Sequence, residues 1–408
     1  MRDGWQDHRV RRLARWMGMA ALSMTAACTG GAGAGKDSAS SDSDVDPAEE
    51  TPAERWARAQ GAGPYGVGWA EGSLSYTPWA GPPLPEGSPG EGDRSLRLAV
   101  WWPTEADPGA FPEPRYFGTI PADGVALGAP LAEGDPRPML LISHGHQGYA
   151  EATAFIAERF ASHGWIVLAP DHTDNTFVDS ADRSTDIYWK RPLDLAAVLD
   201  LALSGDPIVA DAAGEALTAA DLSGEVVLAG HSFGGFTAHA MGGAAFDADL
   251  IAACLAGDDT SAYCSTMDPL QGERLLAGFK DPRVLGLISM APGDRRLFGE
   301  AGFGSLDLPV LHMTGGLDPN ADDDSTWEAL KPGAGPRLRA ELPHANHTSF
   351  TDLSGLIEPE PTLMAAELSF QLIGGLALCW AELVLGAPAE AVFTDEIINT
   401  DEVVLMRP

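Results

Sequence analysis

The sequence predicts an α/β protein built on a mostly parallel, doubly wound sheet, and three observations carry that expectation. Met139-Leu140-Leu141-Ile142, residues 165–169 and Val226-Val227-Leu228-Ala229 are short apolar runs without polar alternation, as strands buried on both faces require. Helical patterns follow the first run, at about 150–163, and the third, from Phe236 onward, which is the alternation of βαβ units. Between the third run and its helix stands Gly230-His231-Ser232-Phe233-Gly234-Gly235, a strand, sharp turn and helix with no room for a loop. The 408 residues contain no internal repeats and fit one large domain with insertions.

Taken in order, the chain opens on Arg9, Arg11, Arg12 and Arg15, followed by an apolar stretch from Trp16 to Ala27 that is too short to span a bilayer. Residues 1–27 therefore read as an export signal, absent from the mature protein. Thr25-Ala26-Ala27-Cys28 resembles a bacterial lipoprotein cleavage box in which Cys28 carries the lipid, although Thr25 stands where such boxes usually have Leu. Cleavage before an unlipidated Cys28 is the alternative. The expected location is the cell envelope, with the Cys28 lipid as the sole membrane contact, or the exterior. Residues 28–61, rich in Gly, Ala, Ser and Asp, read as a tether, which leaves 62–408 as the folded domain.

From 65 to 102, short strand-like runs split by Pro and Gly predict antiparallel strands, and a turn-rich segment fills 103–138. A helix is expected at 191–204, after Tyr188-Trp189. Residues 247–281, with no strong period, form an insertion beyond the Ser232 helix and are expected to act as a small cap. Strands follow at 284–290, 309–313 and, as the last, 337–342. The apolar pattern at about 362–385 is interrupted by Glu367, Gln371 and Glu382, so a packed helix is expected rather than a membrane span. In an oxidising compartment Cys254 and Cys264 are able to close a short loop, the alternative being a reduced pair; Cys379, in an apolar helical pattern, reads as buried and free.

The charge is lopsided: 59 acidic against 25 basic residues give -34. Removing residues 1–27 takes away five Arg and two Asp, so the mature chain carries -37. Such a field repels phosphate backbones and excludes nucleic acid as a partner. The acidity itself reads as a well-solvated surface, with salt tolerance as the alternative.

The chemistry centres on Ser232. A serine hydroxyl needs a neighbouring base, usually a His oriented by a carboxylate, to become a nucleophile at neutral pH. Gly-x-Ser-x-Gly between strand and helix is the context that projects such a hydroxyl above a sheet edge. Asp318 follows the 309–313 strand and a Gly turn, and His347 follows the 337–342 strand, so acid and base come in order after Ser232. Asp318 as a turn-capping carboxylate and His344 as the base are the competing readings. Asp318 also opens a run that imitates a calcium loop, but its sixth position is Asp323 rather than Gly and its twelfth is Ala329 rather than Glu. No metal or cofactor is expected. The amides of Phe233, next to the nucleophile, and of His146, in the turn after the 139–142 strand, are the expected oxyanion donors.

Over most of residues 62–356 the chain resembles bacterial dienelactone-hydrolase-like lipoproteins, related to the platelet-activating-factor acetylhydrolases and polyester hydrolases of the α/β-hydrolase superfamily. The resemblance rests on Gly63-Pro64-Tyr65-Gly66-Val67-Gly68, Val100-Trp101-Trp102-Pro103, Ser143-His144-Gly145, Ala161-Ser162-His163-Gly164, Asp171-His172, Arg191-Pro192-Leu193-Asp194, the Ser232 turn, and Ala345-Asn346-His347 with Phe350. It implies an α/β-hydrolase fold and a serine esterase that hydrolyses small-molecule, lipid or polyester esters through an acyl-enzyme. Two departures stand out. The acetylhydrolases place their acid where this chain has Met290-Ala291-Pro292, so the acid should be Asp318, one strand later; dienelactone hydrolases usually use Cys where this chain has Ser232. A catalytically silent binding protein on the same scaffold, or a peptidase or amidase, are the alternatives.

Overall fold

The apolar runs lie side by side in one ten-stranded sheet in a computed structural model, which describes residues 50–78, 93–179, 186–293, 295–319, 323–357 and 360–408. The export signal, Cys28 and most of the expected tether lie outside the described residues. The principal elements are α1 (Pro52–Ala59), β1 (Gly66–Tyr76), β2 (Arg94–Thr104), β3 (Val125–Leu127), β4 (Arg137–Ser143), α2 (Ala154–Ser162), β5 (Ile166–Pro170), α3 (Asp186–Ser204), β6 (Leu222–His231) and α4 (Phe233–Gly242). They continue with α5 (Ala248–Ala256), α6 (Pro269–Ala277), β7 (Val284–Met290), β8 (Val310–Gly315), β9 (Arg337–Leu342), α7 (Ala366–Val384) and β10 (Val404–Met406).

In space the strands run β10-β9-β8-β7-β6-β4-β5-β2-β1-β3. The six from β4 to β9 are parallel to their neighbours among themselves, while β1, β2 and β5 pair antiparallel in succession and β10 pairs antiparallel with β9. After β4 the chain builds outward to β5, then returns to lay β6 on the other side of β4. The carboxyl ends of β4 and β6 thus flank a topological switch point, where open α/β sheets bind their ligands.

Helices cover both faces, which is why the runs do not alternate. Leu140, Ile142, Val227 and Ala229 pack with Phe155, Phe160, Ile373 and Trp380 on one face; Met139, Leu141, Val226 and Leu228 pack with Leu195, Val198, Phe236 and Met241 on the other. This is the α/β-hydrolase-type sheet that the sequence implies. By length and composition α7 is apolar enough to cross a membrane, yet it packs on α1 and α2 with 61% of its most apolar stretch buried.

Several boundaries differ from expectation. The folded part begins before residue 62: Thr51 and Glu54 form a reciprocal capping box that starts α1 inside the expected tether. Its single large apolar side chain, Trp56, packs against Gly375 of α7, while Arg55 and Arg58 donate to Glu382 at 2.7 and 2.9 Å. Averaging the composition over 28–61 hid a short amphipathic helix. Similarly, α3 starts at Asp186 rather than 191, with Pro192 inside it, because Ile187, Tyr188 and Trp189 are buried as its first turns.

Residues 247–281 are more ordered than their weak period suggests. Asp247 caps α5, and Asp268 with Gln271 forms a capping box on α6. Cys254 and Cys264 are bonded across a Cα separation of 4.9 Å, whereas Cys379 is free and buried. Packed against the start of α3, α6 sets its Arg274 guanidinium 3.9 Å above the Trp189 ring. Past the last expected strand, β10 adds an edge to β9.

Trp56→Ala should lower the unfolding free energy by about 3 kcal/mol, the usual cost of deleting a buried large aromatic side chain. Denaturant unfolding of the two proteins measures it; a loss under about 1 kcal/mol would show that α1 is not an integral part of the domain.

Candidate active site

Ser232 sits on a turn that only small neighbours permit. Its backbone is at φ 55°, ψ -118°, a conformation that a residue with a side chain adopts at a cost on the order of 1–3 kcal/mol. A Cβ on Gly230 would stand 2.1 Å from the Gly234 carbonyl oxygen, and one on Gly234 only 1.9 Å from that of Ser143. The two glycines let β6 turn into α4 while touching the end of β4. Hydrogen bonds from the Ser232 amide to the Met290 carbonyl (2.9 Å) and from the Gly293 amide to the Ser232 carbonyl (3.1 Å) hold the strained unit from the β7 side.

His347 lies in the loop after β9. Its Nε2 is 2.8 Å from the Ser232 Oγ, and its Nδ1 is 2.6 Å from Oδ2 of Asp318, whose side chain is fully buried in the loop after β8. A carboxylate accepts, so Nδ1 carries the proton and Nε2 presents a lone pair to the serine hydroxyl. The loops bearing Asp318 and His347 are laced together by the Leu317 amide donating to the Ala345 carbonyl at 2.9 Å. Asn346 caps the short helix His347–Phe350, accepting from the amides of Thr348 and Ser349. His344 faces elsewhere: it is exposed, with Nδ1 2.7 Å from Glu402. Ala291, at φ 42°, occupies the end of β7 with no carboxylate.

The turn after β4 brings His146 beside Phe233, the two rings meeting edge to face at 5.9 Å. Asn175 donates to His146 Nδ1 at 3.0 Å, so the ring proton is on Nε2. Tyr188 of α3 leans on Phe233 at 4.9 Å, which joins the 247–281 segment, packed on the same end of α3, to the margin of this site. Part of the calcium-like run, residues 320–322, lies outside the described residues; among the described residues no three His, Cys, Asp or Glu side chains are grouped to hold a metal.

Sequence reasoning assigned no role to two sets of residues. His231, just ahead of Ser232, donates from Nε2 to the His347 carbonyl at 3.0 Å and so ties His347 to β6. Beneath the β4 turn, Ser143, His144, His172, Arg191 and Asp194 form a buried polar network. The motifs Ser143-His144-Gly145, Asp171-His172 and Arg191-Pro192-Leu193-Asp194 contained them, but nothing local signals that they meet.

Burial and the neighbouring His347 imidazole push the His231 pKa down to about 3, from about 6.5 in an unfolded chain. The folded protein therefore binds this proton less readily, so the stability from neutral His231 is full above about pH 6.5 and is lost as pH falls toward about 3, by about 1.4 kcal/mol per pH unit. His231→Gln keeps a donor for the His347 carbonyl and removes the titration. Its unfolding free energy relative to wild type should rise with that slope as pH is lowered from 6 to 4, and a pH-independent difference would contradict the assignment.

Comparison with known proteins agrees with this architecture. Residues 116–186 match the family model of platelet-activating factor acetylhydrolase, isoform II, a span that includes β4, the His146 turn and β5. No curated protein matches the chain by sequence. Among solved structures, a ferulic acid esterase from Streptomyces cinnamoneus superposes with a TM-score of 0.54 at 18% identity, covering 84% of this chain and 96% of that one. Taken with the sheet order, these matches show that the chain has an α/β-hydrolase-like fold and is similar over residues 116–186 to the platelet-activating-factor acetylhydrolases.

Proposed function

We propose that the protein cleaves carboxylic esters through a Ser232 acyl-enzyme, with His347 as general base and acid and Asp318 as its orienting carboxylate. The observation that carries this reading is the continuous hydrogen-bond chain from Ser232 Oγ through His347 to Asp318. Ser232 Oγ attacks the ester carbonyl as its proton passes to His347 Nε2. Asp318 stabilises the imidazolium, and the amides of Phe233 and His146 hold the oxyanion. Collapse of the tetrahedral intermediate breaks the bond to the alcohol, whose oxygen takes the proton from Nε2. A water, deprotonated by the same nitrogen, then releases the acid and restores Ser232. Small-molecule, lipid and polyester esters all suit this chemistry, which needs neither metal nor cofactor.

A fluorophosphonate should label Ser232 in wild type and nothing in Ser232→Ala, which should also lose turnover. Asp318→Asn should lower kcat by on the order of 10³- to 10⁴-fold, since the carboxylate fixes the tautomer of the base. Nitrophenyl esters should be cleaved far faster than matched anilides. An unlabelled Ser232 would leave a silent scaffold, and faster anilide cleavage would make the enzyme an amidase.

The protein is further proposed to be exported and held at the cell envelope by a lipid on Cys28, or released if that lipid is absent. Cys28→Ser should move it from the membrane to the soluble fraction. A mature terminus mapped by mass spectrometry to any residue other than Cys28 would overturn the assignment.

A further inference from the structure

Below the oxyanion turn the chain repeats the side-chain pattern of its active site in buried form. Ser143 Oγ is 2.9 Å from His172 Nε2, and His172 Nδ1 is 2.8 Å from Oδ2 of Asp194; all three residues have no exposed surface. Asp194 also accepts from Arg94 Nε and from the Tyr76 hydroxyl, each at 2.6 Å. Proton directions follow from the partners: His172 Nδ1 donates to Asp194, so Nε2 accepts from the Ser143 hydroxyl, whose oxygen accepts from Arg191 Nη2 at 3.1 Å.

Arg191, itself fully buried, places its five N–H groups on neutral oxygens. Nε donates to Thr237 Oγ1 of α4 (3.2 Å), Nη1 to Asn175 Oδ1 (2.7 Å) and the Gly145 carbonyl (3.4 Å), and Nη2 to Ser143 Oγ and the His144 carbonyl. Its guanidinium carbon lies 4.7 Å from the centre of the Phe233 ring. The Gly145 carbonyl collects two more donors, His144 Nδ1 at 2.7 Å and the Gly148 amide at 3.1 Å.

That carbonyl belongs to the peptide unit whose N–H is the amide of His146. In a planar trans peptide C=O and N–H point in opposite directions, so donors fixed on the oxygen fix the direction of the N–H and strengthen its dipole. We propose that Arg191, braced by the Ser143–His172–Asp194 chain, is a positioning residue for the oxyanion hole: it aims and polarises the His146 amide while clamping the Phe233 side of the hole. Arg191 touches no reacting atom and acts through the Gly145–His146 peptide. This inference rests on the acyl-enzyme reading above.

The test uses the full mature protein, with Arg191→Lys, which keeps the charge but cannot span the same acceptors, and Ser143→Ala, which removes one link of the brace. The expected result for folded Arg191→Lys is a kcat lower by about 10- to 100-fold with KM within about twofold, as for a weakened oxyanion donor. Affinity for a trifluoromethyl ketone, whose adduct carries the same oxyanion, should fall by the same factor as kcat/KM. Ser143→Ala should show the same pattern at about 3- to 10-fold. A folded Arg191→Lys with wild-type kcat, or with reduced kcat but unchanged ketone affinity, overturns the proposal. If that variant does not fold, Ser143→Ala decides by the same two readouts. A wild type that neither hydrolyses esters nor labels with fluorophosphonate removes the acyl-enzyme reading and this proposal with it.

Discussion

The contact between β4 and the β6–α4 turn is the constraint on which the site depends. Gly230 pairs with Ser143 at the carboxyl ends of β6 and β4, and Gly234 lies against the Ser143 carbonyl with no space for a side chain. This proximity sets the strained serine next to the turn that bears His146. Because β4 is the strand where the sheet reverses its order of construction, no other adjacent pair of strands would leave the same crevice between their ends. From the other side, β7 and β8 supply the Met290 carbonyl that receives the Ser232 amide and the loop that carries Asp318.

Electrostatics inside and outside the protein follow opposite rules. The chain has few cations, and Arg55, Arg94, Arg191, Arg274, Arg337 and Arg339 are all buried, held by carboxylates, carbonyls or aromatic rings. Much of the positive charge is thus used to fasten the interior, while a few cations such as Lys280, Arg296 and Arg407 remain exposed among many Asp and Glu. The histidines near the site are specialised in the same manner. Burial holds His144, His172 and His231 neutral, so each can accept at one ring nitrogen and donate at the other.

What the sequence made legible was whatever is written within a few residues. The strand, turn and helix around Ser232 are contiguous, and Asp318 and His347 each follow a recognisable strand, so the order of the three residues suffices to nominate them. The α1 helix was missed because one Trp and a capping box were diluted in a Gly- and Ser-rich stretch; the helix α3 begins at Asp186, before the expected residue 191, because Ile187, Tyr188 and Trp189 are buried as its first turns. Arg191 was illegible for a different reason. Its acceptors come from β4, from Asn175 after β5 and from Thr237 on α4, and only the reversal of strand order brings them together.

The two serine, histidine and aspartate chains differ less in their spacing than in what surrounds their hydroxyls. Their side-chain spacings are nearly the same: 2.8 and 2.6 Å in one, 2.9 and 2.8 Å in the other. Yet Ser143 ends a regular strand, has no exposed surface and already has its oxygen engaged by a guanidinium, so its chain works as a strut. Ser232 stands on a strained turn and is partly exposed. Side-chain distances alone would nominate both serines; partial exposure and the strained backbone distinguish Ser232, so a template for recognising such an arrangement needs the backbone dihedral of the serine as much as the imidazole beside it.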